Sequence, residues 1–146
     1  MLNAPEEVLR EIFALEAAQQ KLSIRDRAEK DFMVFVEHVW EGFIEGAHHR
    51  KVAEKYEKLA GSRGARVIIN MPPRHTKSEF ASFLLPAWFL ARYPDKKIIQ
   101  TAHTAELAVG FGRKVRNVFT DTNFQELFPT TNLRADSKAA GRWNTD

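Results

Sequence analysis

The sequence contains no cysteine, which removes disulfides, thiolate nucleophiles and Cys-ligated zinc together and accords with a reducing compartment. No apolar run approaches the roughly 20 residues that a membrane span requires. The opening residues MLNAPEEVLREIF carry acidic groups where a secretion signal carries basic ones. A soluble, non-secreted chain is expected. Glycine numbers only 7, and none lies between Gly64 and Gly110. What is present is ordinary globular material, 44% hydrophobic and 11% aromatic, which argues against disorder, collagen-like repeats and low-complexity linkers. A length of 146 residues suits one domain of typical size and leaves too little chain for two complete ones.

The net charge of +3 is small, but it is unevenly placed. Residues 1–31 hold five basic and seven acidic side chains, 32–60 four and five, 61–78 four and none, and 79–146 nine and seven. The excess is therefore carried by Arg63, Arg66, Arg74 and Lys77. A solvated turn accounts for such a run in general, so the residues around it decide its meaning.

Before residue 61 the apolar spacing is helical throughout. Pro5 suits a first helical position, and Val8, Leu9, Ile12 and Phe13 predict an amphipathic helix over about 5–21. Ser23 reads as an N-cap, and Phe32, Phe35, Val36, Val39, Trp40 and Phe43 form one stripe of a second helix. A third helix carries Val52, Ala53, Tyr56 and Leu59 and stops at Gly61. After residue 61 the pattern changes. Val67, Ile68 and Ile69 form a short bounded apolar run that predicts a buried strand, followed by a helix over about 78–92 that Pro86 should kink or shorten. Ile98 and Ile99 predict a second strand, and Thr104 caps a helix bearing Leu107, Phe111, Val115 and Val118. Strand-helix alternation predicts an α/β fold with a parallel sheet, and the stretch from Asn123 reads as a helical turn before Pro129 and then a weak hairpin.

The segment Val67-Ile68-Ile69-Asn70-Met71-Pro72-Pro73-Arg74-His75-Thr76-Lys77-Ser78 runs a strand into a tight turn and opens a helix with Lys-Ser. That is the context of a phosphate-binding P-loop, in which backbone amides and the helix N-terminus cradle phosphates, a Lys reaches the β and γ phosphates, and a hydroxyl binds Mg2+. Lys77 and Ser78 fit the last two roles. The pattern G-x-x-x-x-G-K-[ST] is broken twice, because Met71 and Thr76 stand where glycines belong. Pro72 and Pro73 remove two donors and stiffen the turn, while Arg74 and Lys77 supply charge. The alternative is a plain strand-turn-helix with an exposed Lys-Ser cap.

The string MPPRHTKSEFASFLLPAWFLARYPDKKIIQTAHTAELA strongly resembles the ATPase part of the large subunit of tailed-bacteriophage DNA-packaging terminases. FVEHVWEGFIEGAHHRKVAEKYEKLA and RADSKAAGRWNTD are similar to the same family, so the resemblance spans about residues 32–146. It implies an N-terminal helical segment, 1–60, followed at 61–146 by the first strands of a P-loop NTPase parallel sheet, incomplete before the Walker B strand. It further implies a homo-oligomeric, ATP-hydrolysing ring that drives double-stranded DNA into a procapsid in the cytoplasm of an infected bacterium. The portal protein and the small terminase subunit would be its partners, no membrane would be involved, and ATP and Mg2+ would be bound. By the same resemblance, Pro73, Arg74, His75, Thr76, Lys77 and Ser78 would contact nucleotide, Arg74 and Lys77 would be catalytic, and Ser78 would ligate the metal. The family's adenine-contacting region matches Gly46 to Arg50, so His48, His49 or Arg50 would meet a base; of these His49 is the candidate carried forward. For the two histidines a polar helix start is the competing reading. Thr101, His103 and Thr104 match a coupling position, Thr104 equally an N-cap. Arg113, Lys114 and Arg116 form a basic helix side that would face DNA, a neighbouring subunit or solvent.

An ATPase of this class also needs a strand ending in Asp, usually followed by Glu, and no such run occurs. Asp95, Asp121, Asp136 and Asp146 fall in loops or polar stretches, and the carboxylate cluster of a nuclease is missing. The chain therefore reads as the N-terminal piece of a larger protein or as a truncated gene product, expected to bind ATP weakly and to show no turnover alone. Two other functions compete with the motor: a small P-loop kinase fragment, which lacks the paired glycines and an Arg-rich lid, and a non-enzymatic assembly module with a degenerate loop.

Overall fold

In a computed structural model, which describes residues 6–138 and 142–145, Phe32 occupies the centre of the molecule and is fully buried. The chain runs through α1 (Glu6–Lys30), α2 (Phe32–Val39), α3 (Ala47–Ala60), α4 (Lys77–Glu79), a π-helical turn (Phe80–Leu84), α5 (Leu85–Arg92), α6 (Ala105–Val118), α7 (Thr122–Leu127), β1 (Leu133–Lys138) and β2 (Trp143–Thr145). Around Phe32 lie the rings of Phe35, Tyr56, Phe80 and Trp88, the last three edge-on with centroids 5.6, 5.6 and 5.4 Å away. Edge-to-face packing at these distances is the favoured geometry for aromatic pairs. One apolar cluster thus draws on residues from both sides of Gly61.

Local chemistry explains the element ends. Asp31 caps α2 by accepting from the N–H groups of Met33 and Val34 at 2.8 and 3.1 Å. The expected break at Ser23 does not occur, because α1 continues as one helix to Lys30 and the chain turns at Asp31 instead. Val8, Leu9, Ile12 and Phe13, read as one side of an amphipathic helix, are exposed. Pro5 lies outside the described residues. Thr104 caps α6, accepting from the Leu107 N–H at 3.3 Å, and Asp121 caps α7 in the same way.

Pro86 does not break its helix. Lacking an N–H, it leaves the Ser82 carbonyl without its helical donor, and Gln100 Nε2–H supplies one from outside at 2.7 Å. The ladder just before the proline widens to the π pattern, with the Leu85 N–H reaching the Phe80 carbonyl. Lys77 to Arg92 is therefore one helical rod with a wide turn in its middle.

The expected parallel sheet is overturned. The described residues are mostly helical, and their one sheet is the antiparallel pair of β1 and β2, with Leu133 opposite Thr145 and Lys138 opposite Trp143. Val67 to Ile69 and Ile98 to Ile99 are neither helix nor strand, and Ile68 and Ile99 are 88% and 91% exposed. The apolar runs satisfy the composition of buried strands, but a strand exists only where neighbouring backbone meets its N–H and C=O groups. Among the described residues no such neighbour lies beside them. The hairpin read after Pro129 is present as β1 and β2.

Truncating the central ring, Phe32→Ala, is expected to lower the unfolding free energy by about 3–5 kcal/mol in urea denaturation. A loss below about 1 kcal/mol would show that the cluster collapses around the gap and that Phe32 is not its centre. Trp88→Phe keeps most of the ring but strips the Nε1–H that donates to the buried Ala28 carbonyl at 2.7 Å. The expected cost is about 1–3 kcal/mol by the same measurement.

Candidate functional site

The turn between Pro72 and Ser78 follows the exposed, positively charged stretch 61–68 and leads into α4. Its backbone is strained at two places, since Arg74 and Thr76 both adopt left-handed conformations, with φ of 62° and 58°. For residues with a Cβ this costs of order 1–2 kcal/mol each. Such strain persists only where surrounding contacts over-determine it.

Those contacts begin at the start of α3. A Cβ on Gly46 would come within 3.0 Å of His48 Cε1, so glycine gives the histidine pair room. The Gly46 N–H donates to His49 Nδ1 at 2.8 Å. An accepting Nδ1 makes this histidine neutral with its proton on Nε2. That nitrogen lies 2.7 Å from Thr76 Oγ1 and is the donor. The Thr76 hydroxyl in turn donates to the His75 carbonyl at 2.6 Å. The His49 ring is buried, stacked on Phe80 at 5.0 Å with 26° between planes, and lies 4.9 Å from Phe43. Phe80 itself touches Phe32, so the turn is tied to the aromatic core through one histidine.

Thr76 stands at the N-cap of α4, yet its side chain makes no capping bond. An N-cap residue ordinarily has extended backbone and offers its oxygen to the N–H two or three residues on. Here the hydroxyl is engaged by His49 and His75. The first-turn amides of Lys77, Ser78 and Glu79 consequently have no side-chain cap. Beside them, Pro73, Arg74, His75, Lys77 and Ser78 are all exposed. Lys77 Nζ lies across the turn, 3.4 Å from the Met71 carbonyl. His75 Nδ1–H donates to the Pro73 carbonyl at 2.9 Å, which holds that ring over the turn.

Other expected site residues are placed differently. The Arg50 guanidinium is engaged by Glu45 through two bonds of 2.8 and 2.6 Å, which lowers the Glu45 pKa and raises that of Arg50. Lys114, one of the basic trio on α6, pairs with Glu79 and lies over the Phe83 ring, so it faces α4 and the π turn. Thr101 and His103 are exposed, whereas Thr104 serves as an N-cap. Asp95 lines a separate open cleft of about 760 Å³ between α5, α6 and β2. Asp136 lies in β1, and Asp146 lies outside the described residues. The His49 to Thr76 tie was not legible in the sequence. Nothing in the spacing of the His-His pair links it to a threonine 27 residues on.

Among the described residues no group of three or more His, Asp or Glu is arranged to hold a metal ion. Nor is any helix long and apolar enough to cross a membrane. No protein-family model, curated protein or solved structure matches the chain.

Burial, and then the neighbouring His48, push the His49 pKa below its ordinary 6.5. The groups facing it are His48 and Glu45 from its own turn and His75 and Lys77 from the loop. A depressed histidine pKa means that the unfolded chain takes up the proton first. The stability carried by neutral His49 is therefore complete above about pH 6.5 and is lost as pH falls toward the folded value. Thermal unfolding between about pH 7 and pH 5 should show a steeper fall for the wild type than for His49→Gln, whose amide does not titrate there. Parallel curves would contradict a neutral His49.

Proposed function

We propose that the turn 72–78 binds the phosphates of ATP, and that the chain carries the nucleotide site of a phage DNA-packaging ATPase of the terminase large-subunit kind. One observation carries this reading: Thr76 turns its hydroxyl away from the helix it precedes, leaving first-turn amides uncapped next to Lys77, Arg74 and the Ser78 hydroxyl. Uncapped amides at the positive end of a helix attract anions. The excess of four basic and no acidic side chains over residues 61–78 adds a field of the same sign. The PPRH-x-KSE turn and its resemblance to terminases supply the identity of the anion.

On this reading Lys77 swings from the Met71 carbonyl to the β and γ phosphates, and the amides of residues 77–79 hold phosphate oxygens. Arg74 lies at the rim, where its planar fork meets charge developing on the transferred phosphoryl group. His49 acts on the far side of the turn and does not meet the base. The described residues build no metal cage of their own. Ser78 Oγ would hold a Mg2+ that keeps most of its waters and arrives with the nucleotide. The ion would neutralise phosphate charge. Double-stranded DNA, the portal and the small terminase subunit are the partners that follow, in a ring formed in the host cytoplasm. A second reading, phosphate binding without turnover in an assembly role, is favoured by Glu79: the acid nearest the turn in sequence is taken up by Lys114.

Calorimetric titration with MgATP tests the site. Lys77→Ala is expected to weaken binding by about tenfold or more, the usual size of a lost charge-assisted bond, with an unchanged circular dichroism spectrum. Equal binding by the variant would sink the assignment. In a longer protein that also supplies the strand ending in Asp, turnover stimulated by double-stranded DNA separates the motor from the binding module. In such turnover Arg74→Lys should lower kcat by at least about tenfold while changing KM little, since charge is kept and the fork is lost.

A further inference from the structure

We infer that His49 is a positioning residue that keeps the phosphate-binding turn open by preventing Thr76 from capping its own helix. The inference rests on the nucleotide reading for its ligand, but not for its geometry.

Thr76 has two arrangements available. In one, its backbone is extended and its hydroxyl accepts from the Ser78 or Glu79 amide, as threonine ordinarily does at an N-cap. In the other, which the structure adopts, its φ is 58° and its hydroxyl lies between His49 Nε2 and the His75 carbonyl. The first arrangement is the intrinsically easier one. It removes left-handed strain and satisfies an orphan amide. Something outside the turn has to favour the second, and among the described residues the side chain from another element that bonds Thr76 is His49. His49 is well suited to the task. Its ring is held by the Gly46 amide at one nitrogen and packed against Phe43 and Phe80, so its Nε2–H points in a fixed direction. The neutral tautomer is set by the Gly46 bond, which leaves Nε2 as an obligatory donor. A buried donor without a partner is costly, so the histidine holds the threonine as firmly as the threonine holds the histidine. The open amides then stand ready for a phosphate before any ligand arrives. Binding does not have to displace a capping hydroxyl.

Two substitutions separate this role from general support of α3. Asparagine reproduces the position of Nδ1 and keeps the Gly46 bond, but its side chain ends short of Thr76. Glutamine reaches the position of Nε2 and keeps the Thr76 bond, but offers Gly46 nothing equivalent. The probes are calorimetric affinity for inorganic triphosphate and the backbone and Cβ carbon chemical shifts of Thr76 in ligand-free protein, which distinguish left-handed from extended backbone. Expected is a loss of about tenfold in triphosphate affinity for His49→Asn, near wild-type affinity for His49→Gln, and movement of the Thr76 shifts to extended values in the asparagine variant alone. Thr76→Val has no hydroxyl with which to cap, so it should lose less affinity than His49→Asn, and the double variant should resemble Thr76→Val alone. Thr76→Ser should restore the wild-type values. Equal behaviour of the asparagine and glutamine variants, or left-handed Thr76 shifts in His49→Asn, would overturn the inference. If the wild type fails to bind triphosphate, the nucleotide reading falls, and the Thr76 shifts still decide whether His49 holds the turn.

Discussion

The packing of Phe32 against Phe35, Tyr56, Phe80 and Trp88 is the interaction on which the remaining structure depends. Each of its ring partners outside α2 belongs to a different segment: Tyr56 to α3, Phe80 to the π turn and Trp88 to α5. Burying one phenylalanine therefore sets three helical elements relative to one another. Trp88 adds direction to a contact that is otherwise only apolar, because its Nε1–H must find the Ala28 carbonyl at the end of α1. Phe80 carries the arrangement outward. One face of its ring belongs to the core, and another supports His49, whose Nε2–H ends at the turn. Core geometry thereby reaches an exposed loop through two rings and one hydrogen bond.

That route explains how a turn rich in unfavourable features stays ordered. Two left-handed non-glycine residues and two prolines in seven positions leave the turn few conformations and no cheap one. The unfolded chain loses little entropy at the prolines, which offsets part of the strain at Arg74 and Thr76. The rest is borne by His49, by the His75 to Pro73 bond and by the helical rod that begins at Lys77. Glycines would reach such dihedrals without penalty. Here rigidity imposed from α3 takes the place of glycine.

The two isoleucine pairs teach a different lesson. Val67 to Ile69 and Ile98 to Ile99 have the composition of buried parallel strands. Apolar content reports what a segment can bury, not whether a neighbour is present to pair with it. Helices satisfy their backbone internally, so α3 and α6 could be placed from spacing alone, and α2 as far as Val39, with Trp40 and Phe43 of the expected stripe lying beyond its end. Strands depend on residues distant in sequence, and the described residues do not supply them at these places. Ser23 failed as a cap for a related reason, since a capping residue acts only where the helix has a cause to stop, and that cause was Asp31.

The sequence by itself determined the helices whose apolar residues recur at three and four positions, the caps at Thr104 and the stop at Gly61, and the concentration of positive charge around Arg74 and Lys77. It also determined that Pro86 would disturb its helix, because a missing N–H is a property of the residue and not of its surroundings. Only the tertiary structure decided how that disturbance is met, through a π turn and the Gln100 amide from a segment beyond the helix. It likewise decided that His49 faces Thr76, that Lys114 faces Glu79, and that Ile68 and Ile99 stand exposed. Each of these is a meeting of residues far apart in the chain, and periodicity records only what neighbours within a few residues of one another can do.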